Sequence, residues 1–124
     1  MTAERARPIA GAMTDTHDPL ATLARLETVI AQRRAADPSS SYVAKLNARG
    51  VPKIAQKLGE EAVEAVIAAM ADDREGLLGE SADLIFHLLV LLGAKGIALS
   101  DITRELDRRE GISGIVEKAG RKGD

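Results

Sequence analysis

From residue 19 onward the chain repeats apolar side chains at intervals of three and four, the period of an amphipathic helix. Leu23, Leu26, Val29 and Ile30 share one face of a first predicted helix over 19–36. Asp18 supplies its N-cap and Pro19 its first helical position. The run Asp37-Pro38-Ser39-Ser40 stops it, because the residue before a proline is pushed out of the α region. Ser40 or Ser41 caps a short second helix, from Tyr42 to about 48, closed by Gly50. Pro52 opens a third helix that runs to about Ala71. Asp72-Asp73 breaks it and caps a fourth over 74–94, whose end is flanked by Gly93 and Gly96. Ser100 caps a fifth helix over 101–109. No segment shows the clean period of two that marks a strand. Residues 1–17 are small, polar and aperiodic, and the stretch after Gly111 is rich in Gly and Lys. The expected organisation is a disordered N-terminal arm over 1–17, one all-α domain over 18–110 and a flexible tail over 111–124.

Helical wheels separate the third and fourth helices from ordinary surface helices. With Glu60 at 0°, Lys53, Glu64, Lys57 and Glu61 fall between about 20° and 100°. Apolar residues from Ile54 to Met70 fill about 120° to 340° of the third helix. On the fourth, Asp83 and His87 lie within about 60° of Glu80, and leucines cover most of the rest. Each helix thus carries one narrow acidic stripe on a broad apolar surface. A short connection makes the two antiparallel neighbours, so the stripes can face each other.

Composition sharpens this picture. Hydrophobic residues make up 45% of 124, but aromatics only 2%, so Leu, Ile, Val and Ala must build the core. Alanine and leucine are strong helix formers, and the expected fold class is all-α: a four- to five-helix bundle. So small an aliphatic core is marginal alone, and helices apolar on several sides call for completion by homodimerisation. The net charge of −2 offers no basic field for nucleic acid, and the shortage of aromatics argues against a base-stacking surface for one. The absence of cysteine excludes disulfides, thiol nucleophiles and Cys-ligated zinc. The N-terminus lacks the apolar run of a signal peptide, and the apolar stretch over 84–93 is too short to span a bilayer. The expectation is a cytoplasmic protein with no membrane partner.

The acidic stripes carry the candidate chemistry. Two carboxylates about 6 Å apart repel by roughly 0.7 kcal/mol in water but by roughly 3 kcal/mol at an effective dielectric near 20. Five of them (Glu60, Glu61, Glu64, Glu80 and Asp83) in a partly buried cleft need protonation or neutralisation. Oxygen-only donors select hard cations, and Mg²⁺ favours a few carboxylates with water and substrate phosphate. Lys45, Arg49, Lys53 and Lys57 lie close by in sequence as candidate phosphate contacts.

Written out, the pattern is Glu61-x-x-Glu64, fifteen residues, then Glu80-x-x-Asp83. It resembles the paired ExxE and ExxD of the all-α nucleoside triphosphate pyrophosphatases. SYVAKL (41–46), KIAQKLGEEAVE (53–64) and GESADLIFHLLVLL (79–92) narrow the resemblance to the phosphoribosyl-ATP pyrophosphatases of histidine biosynthesis, over about residues 19–110. The resemblance implies hydrolysis of phosphoribosyl-ATP to phosphoribosyl-AMP and pyrophosphate, Mg²⁺ as cofactor, and Glu61, Glu64, Glu80 and Asp83 as metal ligands. The expected step is in-line attack of water at the α–β phosphoanhydride, with Glu60 or Glu61 as the candidate to orient it. Lys45, Lys53 and Lys57 are the candidate phosphate contacts. The resemblance also supports the homodimer. Phe86 stands where a Tyr is expected in the segment ADLxYH. Some relatives fuse this domain to a cyclohydrolase with Cys-ligated zinc; a chain of this length without cysteine is expected to be the stand-alone form.

Blander readings stand beside these. An acidic stripe is often just a solvated face, though such faces are usually wider and mix in Lys and Arg, as 101–110 does. His87 is a metal ligand, a phosphate contact, or a buried histidine bonded to Asp83 one turn earlier; the supporting role is preferred. Lys53 and Lys57 can be plain i,i+4 salt-bridge partners, and Tyr42 reads as a packing residue. Two rivals to the main function remain: a house-cleaning dNTP or dUTP pyrophosphatase of the same fold, and a non-catalytic helical interaction module.

Overall fold

The computed structural model describes residues 16–110, so the expectations for residues 1–15 and for the tail over 111–124 lie outside the described residues. Five helices follow in chain order: α1 Pro19–Arg33, α2 Tyr42–Arg49, α3 Val51–Met70, α4 Arg74–Ala94 and α5 Leu99–Glu110. Among the described residues there is no strand.

The predicted start signals operate as local chemistry. Asp18 Oδ1 accepts the Leu20 and Ala21 amides at 3.0 and 3.4 Å. Between the two candidate serines, Ser41 is the cap: its Oγ accepts the Ala44 amide at 3.2 Å, while Ser40 Oγ donates to the Asp37 carbonyl. Asp73 caps α4 by accepting the Gly76 amide at 2.9 Å. Gly50, at φ 96°, serves as both the C-cap of α2 and the N-cap of α3, a backbone turn no L side chain adopts easily.

Three boundaries differ from expectation. α1 ends at Arg33 instead of 36, because a tight turn (Ala36 N–H to Arg33 O, 3.1 Å) takes over before Pro38. α5 begins at Leu99, ahead of Ser100; the carboxylates of Asp101 and Glu27 take the amides of Ala98 and Leu99 at 2.9 and 2.7 Å. Only Gly96 closes α4. It sits at φ 73° with Ile97 N–H bonded back to Leu92 O and Gly96 N–H to Gly93 O, the Schellman pattern. Gly93 stays inside the helix, where the Arg34 guanidinium occupies the space a Cβ would need.

α3 and α4 form the central antiparallel hairpin, with α1 packed on α4 and α2 on α3. Ile30, Val43, Leu46, Ile54, Leu89 and Val90 make the core where these four helices meet. It is entirely aliphatic, as the composition requires. α5 touches the rest only slightly and buries none of its residues. By length and composition α4 could cross a bilayer, a longer apolar element than the 84–93 run suggests. It nevertheless lies along α3 and carries Glu80, Asp83 and His87, as a core helix can.

Candidate active site

The two acidic stripes do face each other. Carboxylate oxygens of Glu61 and Glu64 on α3 and Glu80 on α4 all lie within 4.8 Å of one another. The cause is geometric: residues three apart share a helix face, and the short turn at 71–73 folds that face of α3 onto the matching face of α4. Glu61 is buried, only 8% exposed, whereas Glu64 is exposed and Glu80 half-buried.

Such a cluster is electrostatically unstable by itself. Glu80 Oε1 is buried with no donor in reach. A proton on Glu80, donated to Glu61 or Glu64, relieves it. The Glu80 carboxyl is accordingly pushed up to about 7, chiefly by these shared hydrogen bonds, then by burial and by the two neighbouring charges. A divalent cation does the same work with the proton gone. The donor set is oxygen only, which suits a hard ion. The orphaned Oε1 is one more unfilled coordination position, so the residues fit such an ion.

Asp83 is exposed and falls outside the cluster of three, although three residues from Glu80 on the same helix. Glu60 is directed elsewhere: its carboxylate accepts from Gln56 Nε2 at 2.9 Å and pairs with Lys57 Nζ at 3.7 Å. The Gln56 bond, with the charges of Lys57 and Lys53, holds it below the usual carboxylate range. Lys57 thus has a carboxylate partner, Lys53 is half-buried, and Lys45 is exposed on α2.

His87 is buried, 4% exposed. Its Nδ1 lies 2.8 Å from the Asp83 backbone carbonyl, not the carboxylate. A carbonyl only accepts, so Nδ1 carries the hydrogen and Nε2 accepts the Tyr42 hydroxyl at 3.0 Å. The ring nitrogens are thereby both occupied, which supports the bonded histidine over the ligand. Tyr42 also stacks on Phe86, with centroids 5.9 Å apart and planes 20° from parallel. Both rings meet His87 edge-on. Nothing in the sequence announces this trio, since Tyr42 lies on a different helix and no spacing rule links it to His87.

A separate cavity of about 570 Å³ opens between α1 and the C-terminal end of α4, lined by Glu27, Ile30, Arg34, Leu89 and Leu99 among others. It contains none of Glu60, Glu61, Glu64, Glu80 and Asp83.

The family model described as phosphoribosyl-ATP pyrophosphohydrolase matches residues 23–110. A phosphoribosyl-ATP pyrophosphatase of Rhizorhabdus wittichii is 68% identical over 100 residues, covering 81% of this chain and 94% of the relative. One from Novosphingobium aromaticivorans is 66% identical over 99 residues, covering 80% and 92%. One from Erythrobacter litoralis is 64% identical over 103 residues, covering 83% and 98%.

Proposed function

Since the chain belongs to the phosphoribosyl-ATP pyrophosphohydrolase family, we propose that its acidic cluster is where water is added to the α–β phosphoanhydride of phosphoribosyl-ATP. The enzyme is a phosphoribosyl-ATP pyrophosphatase of histidine biosynthesis, releasing phosphoribosyl-AMP and pyrophosphate. One observation carries the site: three carboxylates converge within 4.8 Å, one of them with a buried oxygen that nothing in the protein satisfies.

Glu61, Glu64 and Glu80 would hold Mg²⁺, with Asp83 completing the set from the next turn of α4. When bound, the ion neutralises charge on the phosphate oxygens and the leaving pyrophosphate. The protein's own part is positioning and proton transfer. Water oxygen forms a bond to the α-phosphorus as the bond to the bridging oxygen breaks, and pyrophosphate leaves with the electron pair. The water proton passes to a carboxylate. We assign that role to Glu61 over Glu60, because Gln56 and Lys57 already engage Glu60. Lys53 and Lys57 on α3, and Lys45 on α2, are the proposed contacts to phosphate oxygens.

The enzyme works as a cytoplasmic homodimer in this reading. Val63, Val66, Ile67 and Met70 on α3 and Leu78, Ile85 and Leu88 on α4 are all exposed in the single chain. An apolar surface running along two neighbouring helices is the kind that marks an interaction face.

The test is pyrophosphate release from phosphoribosyl-ATP in Mg²⁺. Glu64→Gln keeps the side-chain volume and removes the charge; turnover should fall at least about 100-fold with the fold retained. Near wild-type turnover in the folded variant would remove the site assignment. Running common nucleoside triphosphates alongside separates this activity from that of a house-cleaning relative.

A further inference from the structure

The chain holds one tyrosine and one phenylalanine, and the fold brings them together around His87, one turn along α4 from Asp83. Phe86 lies three residues beyond Asp83 on α4, and His87 one turn beyond it. Tyr42 reaches this point from the first turn of α2. We infer that Tyr42 is the surface on which the purine base of the nucleotide stacks, an inference that rests on the phosphates lying at Glu61, Glu64, Glu80 and Asp83.

Three observations carry it. First, Tyr42 is 48% exposed, although its hydroxyl is tied down on a buried histidine. Second, the ring is held in place before any ligand arrives. Its hydroxyl bonds His87 Nε2, Phe86 packs at 20° to its plane, and His87 in turn is fixed by the Asp83 carbonyl. A fixed platform avoids the ordering penalty that weakens stacking on a mobile side chain. Third, the spacing suits a nucleotide. His87, which anchors the Tyr42 hydroxyl, stands four residues, about 6 Å along the axis, from Asp83. A ribose between base and α-phosphate bridges a gap of that order. The low aromatic content excludes an extended nucleic-acid surface, but one base needs only one ring.

With one tyrosine and no tryptophan, the intrinsic fluorescence of the full chain reports on Tyr42 alone. Titration with adenosine 5′-monophosphate in Mg²⁺ should quench it strongly, and ribose 5-phosphate should not. In turnover, Tyr42→Leu should raise KM for phosphoribosyl-ATP about tenfold or more while kcat stays within about threefold. Tyr42→Phe, which keeps the ring, should recover most of the loss. Equal responses to the two ligands, or none to either, overturn the inference. So does a Tyr42→Leu enzyme whose KM is unchanged or whose defect lies in kcat. If that variant does not fold, the quenching experiment on the unaltered chain decides alone. A failure here leaves the Glu64→Gln result standing; a fully active Glu64→Gln enzyme marks the failure of the underlying site reading instead.

Discussion

Glu80 is a carboxylic acid whose nearest polar neighbours are two more carboxylates, Glu61 and Glu64. Its proton is held up to about 7 in the fold, against 4.5 for the free side chain. The folded state therefore binds more protons than the unfolded chain between those values. Glu80 contributes stability that is fully present below about pH 4.5 and is lost as pH rises through about 7. In EDTA, the melting midpoint of the wild type should fall across that window relative to Glu80→Gln, which has no proton to lose. Added Mg²⁺ should reverse the trend, because it binds the deprotonated cluster and raises the midpoint most above pH 7. Melting curves at several pH values, with and without Mg²⁺, check both signs. Glu105 shows the opposite sign: Arg108 and Arg109 hold it at about 2, so its contribution persists until strongly acidic pH. At this scale the sequence showed much of the site, since the i,i+3 pairs put Glu61 with Glu64 and Glu80 with Asp83. It did not show that Glu60 would be drawn off by Gln56, because both readings satisfy the same wheel.

The turn between α3 and α4 brings the acidic stripes together. Asp72 occupies it at φ 57°, a left-handed conformation that disfavours side chains other than glycine. Around it, Asp73 N–H bonds Ala68 O at 2.9 Å and Asp72 N–H bonds Ala69 O at 3.2 Å, closing α3. Asp72→Gly should stabilise the fold by about 0.5–1 kcal/mol in denaturant melts without altering turnover. Asp73→Ala removes the N-cap of α4 and should cost about 1 kcal/mol. A neutral or stabilising Asp73→Ala would mean the cap bond at Gly76 contributes nothing. Helix existence and order were legible here because caps and prolines act on adjacent residues. The ends at Arg33 and Leu99 were not, because a local turn in one case and the distant Glu27 in the other decided them.

For the molecule as a whole, the apolar surface on α3 and α4 is the dominant unsatisfied feature. Val66 is 61% exposed and Met70 82%, on a helix that also carries the buried Glu61. α5 adds an amphipathic helix with no fully buried residue. A second copy covering these faces would bury them and stiffen the hairpin that holds the site. Sedimentation should give a dimer at micromolar concentration. Val66→Glu, placing a charge in that surface, should shift the protein toward monomer and lower the melting midpoint. A wild-type monomer with full activity would exclude the dimer.

The sequence by itself determined the all-α class, the order of five helices and the acidic pairs, because helical period and capping are properties of neighbouring residues. The motifs around those pairs also carried the family. Only the tertiary structure decided which carboxylates converge and which turn away. The same holds for His87, bonded to a backbone carbonyl and to Tyr42, and for the two aromatic rings gathered against it. Those outcomes depend on how α2, α3 and α4 pack, and packing is a relation between segments far apart in the chain.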